Sequence, residues 1–112
     1  MSINRKQATQ DYKDAKIPRG IYVARCLATD RVWVDSSRNL AATKNSFWFF
    51  LRAGNHKNIS LQDDYNALGA DAIQYEVLEQ LDDDTPTTAV TDLLKEKKLL
   101  WAEQLKAKLL YP

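Results

Sequence analysis

The side chains able to do chemistry in this 112-residue chain are few and scattered. The single histidine, His56, follows Gly54 and Asn55, a loop or helix-entry position from which an imidazole can contact phosphate or move a proton. Arg52 and Lys57 flank it, and Lys95, Lys97, Lys98, Lys106 and Lys108 follow towards the C-terminus. Lined up in one groove these cations would track a phosphate backbone; spread around a helix they would only solubilise it. Tyr22 offers a phenol and Trp33 an indole donor, both in segments that read as strands. The lone Cys26 lies in an apolar run and reads as a small core residue rather than a nucleophile. One cysteine and one histidine allow neither an internal disulfide nor a cluster that could build a zinc site.

Composition narrows the function classes. The net charge of +1, from 16 basic and 15 acidic residues, argues against a strongly electrostatic, non-specific nucleic-acid binder but leaves room for a local basic patch. The apolar share of 45% with 28% charged residues fits one globular domain with one core. No apolar run approaches the roughly 18 to 20 residues needed to cross a bilayer, and the N-terminus is polar with mixed charge. A cytoplasmic protein without a membrane partner is the expectation.

The elements that must position these groups follow from local signals. Ser2 can cap a short helix to about Ala15, which Ile17-Pro18 terminates, giving an N-terminal helical appendage over residues 1–18. Gly20 to Cys26 reads as a strand, Ala28 to Arg31 as a link, and Val32 to Asp35 as a second strand. Side-chain alternation then places Tyr22 and Ala24 on one face, and Tyr22 and Trp33 are candidates to project from the same side of the hairpin. Ser36-Ser37 offers caps for a helix from about Arg38 to Ala53, stopped by Gly54. Asn58 can cap a second helix ending at Gly69. Ile73, Tyr75 and Val77 alternate with Gln74 and Glu76 as in a third strand. After the break at Asp82 to Pro86, a last helix from about Thr87 carries Val90, Leu94, Trp101, Leu105 and Leu109 along one stripe. The expected fold is α+β, a small three-stranded antiparallel sheet flanked by helices, occupying residues 19–112.

Within that succession, Gly20-Ile21-Tyr22 opens the first strand, Trp33-Val34-Asp35 lies on the second, and Ser36-Ser37 and the pair Asn39-Leu40 follow. Leu51 to His56, Leu61-Gln62 and Tyr75 to Glu79 continue in order and approximate spacing. Over roughly Arg19 to Leu105 the chain resembles GIY-YIG nuclease domains, most closely short single-domain bacterial ones. The resemblance implies a phosphodiester-cleaving ancestry in which a first-strand tyrosine positions or activates water. An arginine on the following helix then stabilises the phosphate charge, and a glutamate on the last helix holds a divalent metal. Tyr22 matches the tyrosine. Trp33 stands where the second tyrosine belongs, Asp35 replaces the glycine, Thr43 takes the arginine position and Phe47 the polar position one turn later. The metal-binding glutamate falls near Glu96 or Lys98, with the stricter spacing favouring Lys98.

The resemblance thus implies a nuclease-like domain with a degenerate, catalytically impaired site that binds nucleic acid or a protein partner through its former active face. The catalytic candidates are Tyr22, Trp33 and Glu96; Arg38, Arg52, His56 and Lys57 are the candidates for contacting DNA or RNA. The alternative is a divergent endonuclease using Mg²⁺ or Mn²⁺ on Glu96, with Arg38 or Arg52 replacing the missing arginine. A third reading is a protein-interaction domain that homodimerises through Trp48 and Phe50.

Overall fold

A computed structural model of the chain describes residues 17–111. The helix expected over Ser2 to about Ala15 lies outside the described residues. Within them the order is β1 (Gly20–Cys26), β2 (Arg31–Ser37), α1 (Leu40–Ala53), α2 (Ile59–Leu68), a 3₁₀ turn (Ala70–Ala72), β3 (Ile73–Gln80), α3 (Thr87–Leu105) and β4 (Lys108–Leu109).

The hairpin forms in the expected place, with Tyr22 opposite Asp35 and Ala24 opposite Trp33. The third strand runs antiparallel to β1 on its other side, giving the strand order β3-β1-β2-β4. The first turn of β1 carries a constraint that only glycine meets. A Cβ on Gly20 would lie 2.0 Å from the Glu79 carbonyl oxygen, so the close approach of β3 depends on the absent side chain. Beside it the register shifts between Ile21 and Tyr22, leaving Leu78 as the extra residue of a bulge.

Alternation along β1 gives the sheet two apolar faces. Tyr22, Ala24, Cys26 and Trp33 pack with Leu40, Phe47 and Leu51 of α1 and Leu61 of α2. On the opposite face Ile21, Val23 and Val34 pack with Val90 and Leu94 of α3. Helices therefore cover both sides of the sheet.

Three expectations change. The sheet is four-stranded and mixed rather than three-stranded and antiparallel. Lys106 adopts a left-handed conformation (φ 53°) that ends α3 and turns the chain, after which Lys108–Leu109 pairs in parallel with Trp33–Val34 of β2. Leu109 consequently belongs to a strand, not to the stripe of the last helix. The first helix begins at Leu40 rather than Arg38, because β2 continues through Ser37 and the cap is Asn39, whose side chain accepts from the Ala42 N–H. Gly54 ends that helix in the left-handed region (φ 78°), and Asn58 caps α2, as the sequence suggests.

Candidate functional site

Cross-strand pairing sets Tyr22 and Asp35 side by side, and the Tyr22 hydroxyl donates to Asp35 Oδ2 at 3.1 Å. Tyr22 is only 2% exposed. Burial, then the charge of Asp35, push its phenol far above the ordinary range, so it stays protonated and can donate but not act as a base. Asp35 is raised by burial, against opposing bonds from the Ser36 N–H and Tyr22 and the charge of Lys98. The Lys98 ammonium lies 3.9 Å from Asp35 Oδ1, with both side chains mostly covered. Tyr75 stacks on Tyr22 with ring centroids 5.0 Å apart and donates to the Leu40 carbonyl at 3.3 Å. Burial and the Asp35 charge push it up to about 12.

The first turns of α1 close this cluster from the helix side. Thr43 Oγ1 and Ser37 Oγ share a 2.6 Å hydrogen bond, and Ser37 Oγ also accepts from the Asn39 N–H at 2.9 Å. Phe47 is buried, edge-on to His56 and tilted against Tyr75. What remains open is a cavity of about 260 Å³ bounded by Tyr22, Asp35, Thr43, Ser46, Phe50 and Tyr111, among others. Tyr22 and Asp35 are bonded to each other, Thr43 to Ser37 and Tyr111 to His56, so a substrate would meet several polar groups already engaged.

The other expected site residues lie in varied surroundings. Trp33 is 3% exposed and packs within the core on the Tyr22 face. Arg38 reaches α3 and donates to Thr91 Oγ1. Arg52 is exposed on the last turn of α1, lining a cavity of about 470 Å³ with Trp48, Phe49 and Phe50. Lys57, also exposed, borders a cavity with Phe50, Asn55 and Tyr111. His56 is buried: its Nδ1 accepts from the Asn58 N–H at 3.0 Å, and its Nε2 lies 3.3 Å from the Tyr111 hydroxyl. Tyr111 stacks on the imidazole with ring planes 10° apart, and burial lowers the pKa of His56. The His56 backbone N–H donates to Gln62 Oε1, while Gln62 Nε2 donates to the Leu51 carbonyl, tying the loop to both helices.

Glu96 is exposed on α3. Two residues along a helix correspond to about 200° of rotation, so the side that brings Lys98 to Asp35 carries Glu96 away from it. Among the described residues no three carboxylate, histidine or cysteine side chains converge as a metal site. A divalent cation at Asp35 would meet one carboxylate already holding a phenol and facing an ammonium. That donor set does not fit Mg²⁺ or Mn²⁺, which need several oxygen ligands and no competing cation.

Sequence reasoning points to Tyr22, to the negative charge that Asp35 adds and to a spacing that favours Lys98, although its catalytic and metal candidate on that helix is Glu96. It did not find Tyr75 and Tyr111 around the same carboxylate. The alternation of β3 was the available signal for Tyr75, whereas Tyr111 follows a strand of two residues and carries none.

No protein-family model matches the chain, and no curated protein matches its sequence. Solved structures do. The catalytic domain of the homing endonuclease I-TevI is 24% identical with a TM-score of 0.65, covering 79% of this chain and 88% of that one. A point mutant of the catalytic domain of the intron endonuclease I-TevI gives 23% identity and a TM-score of 0.67, covering 80% and 86%. At this identity the likeness establishes the fold.

Proposed function

From the premise that its fold is that of GIY-YIG nucleases, we propose that this chain is a catalytically impaired nuclease-like domain that binds nucleic acid rather than hydrolysing it. One observation carries the reading: the tyrosine that would prepare the nucleophile is buried, with its hydroxyl bonded to Asp35. Three further features support it. Thr43, at the position where the resemblance implies an arginine, is bonded to Ser37 and brings no charge to a phosphate. Phe47, where a polar group belongs, is core. Lys98 comes to Asp35 in place of a metal-binding glutamate. With no arginine at the expected position and a donor set at Asp35 that does not suit a divalent cation, the residues here offer little of two large contributions to phosphodiester hydrolysis.

The test is incubation of the purified protein with supercoiled plasmid, branched DNA and structured RNA in Mg²⁺ or Mn²⁺, alongside Tyr22→Phe and Glu96→Ala. Cleavage no greater than that of the two variants, together with retention of nucleic acid on the protein, is the expected result. Cleavage lost in both variants would overturn it in favour of a metal-dependent endonuclease.

A second reading, a divergent endonuclease, has one observation in its favour: Asp35, with the Lys98 ammonium nearby, lines an open cavity and offers the carboxylate that general base catalysis requires. Metal-independent cleavage abolished by Asp35→Asn would establish it.

A further inference from the structure

The stretch from Ser36 to Gln62 contains Arg38, Lys44, Arg52 and Lys57 and not one acidic residue, although the whole chain carries a net charge of only +1. Arg38 turns to Thr91 of α3, but Lys44, Arg52 and Lys57 are exposed on α1 and the loop after it, so the charge asymmetry of the sequence becomes a cationic surface there. The same side exposes rings. Phe49 is 60% exposed, Phe50 44% and Tyr111 42%. Phe49 and Phe50 meet edge-to-face with centroids 5.5 Å apart.

These groups are arranged in sequence along the surface. Asn45, Phe49 and Arg52 follow one another at helical spacing on α1, as do Ser46 and Phe50. Phe50 borders three adjoining cavities. The first holds Asn45, Phe49 and Arg52; the second is the Tyr22–Asp35 cavity; the third holds Asn55, Lys57 and Tyr111. A track therefore runs from Phe49 over Phe50 to Tyr111, with a guanidinium at one end, an ammonium at the other and amide side chains beside each.

Exposed rings edged by cations and amides match a strand whose bases are unpaired. Base faces stack on the rings, phosphates meet Arg52 and Lys57, and base edges meet Asn45 and Asn55. A duplex keeps its base faces stacked inside and would leave these rings uncovered. An acidic protein surface would satisfy the charges but would not use the spacing of ring and amide.

We propose that this track of Phe49, Phe50 and Tyr111, edged by Arg52 and Lys57, is a stacking platform for single-stranded nucleic acid. The proposal rests on the nucleic-acid-binding reading above and adds the strandedness of the ligand and the residues that hold it.

Fluorescence anisotropy tests it, with labelled DNA and RNA oligonucleotides of about 15 nucleotides, long enough to span a typical single-strand site, used single-stranded and annealed to their complements. The full chain is compared with Phe49→Ala, Phe50→Ala and Arg52→Ala, each checked for an unchanged thermal unfolding transition. The expected result is that single strands bind at least about tenfold tighter than duplexes, and that each phenylalanine variant loses about 5- to 100-fold in affinity. Arg52→Ala should weaken binding and reduce its dependence on salt. Equal binding of single strands and duplexes, unaffected by the phenylalanine changes, would overturn the platform while leaving nucleic-acid binding intact. No binding to any oligonucleotide would overturn both. A concentration-dependent mass increase lost in Phe50→Ala would then assign the rings to a second copy of the chain.

Discussion

His56 illustrates how burial redirects a side chain that looks reactive in the sequence. Accepting from the Asn58 N–H at Nδ1 leaves the ring proton on Nε2, facing the Tyr111 hydroxyl. Protonation of Nδ1 would set two donors against each other in a buried place, in keeping with the lowered pKa. The consequence for stability has a definite sign. The unfolded chain takes up the proton near the ordinary 6.5, while the folded chain does so only at lower pH. Between the two the unfolded state holds more protons, so stability falls as pH is lowered below about 7 and levels off beneath the folded value. Urea unfolding from pH 7.5 to 5 is expected to show this decline, and His56→Gln, which keeps an acceptor but does not titrate, to flatten it. An unchanged slope in the variant would place the titrating group elsewhere.

At the scale of elements, two asparagine caps show how one residue type can do unequal work. Asn39 accepts from the Ala42 N–H and serves α1 alone. Asn58 accepts from the Leu61 N–H to start α2, and its Nδ2 also donates to the Leu110 carbonyl at 2.9 Å. Asn39→Ala is expected to cost about 1 kcal/mol, the usual loss of a cap. Asn58→Ala should cost about 2 kcal/mol, because the Leu110 carbonyl loses its donor as well. Chemical denaturation of both variants makes the comparison, and equal losses would show that the second bond contributes nothing.

For the whole molecule, the last described residues tie the strand β2 to the start of α2 and to the core beneath α1. Leu110 is 1% exposed and packs in the same core as Tyr22, Trp33 and Phe47. Its N–H donates to the Val34 carbonyl, its carbonyl accepts from Asn58, and the next residue, Tyr111, covers His56. Leu110→Ala is therefore expected to destabilise the protein by about 3 kcal/mol, as for other fully buried leucines. A change below about 1 kcal/mol in denaturant unfolding would show that the tail frays without consequence. The same tail supplies one ring of the proposed platform, so folding of the C-terminal strand and completion of that surface are one event.

The elements whose signals are local were determined by the sequence alone. Alternation marked β1, β2 and β3, the left-handed Gly54 ended α1, and Asn58 began α2, because each depends on residues within a few positions. The Gly20-Ile21-Tyr22 opening and the segments after it were enough to indicate the fold. Tertiary structure decided the rest. A two-residue strand has no periodicity to read, so β4 and the placing of Tyr111 depend on a parallel edge offered by β2. Whether Glu96 or Lys98 faces Asp35 is set by the rotation at which α3 packs on Ile21, Val23 and Val34, a choice that spacing from Trp101 only suggests. His56 likewise reads as a loop cation until Phe47, Gln62 and Tyr111 surround it, because burial is a sum over residues distant in the chain.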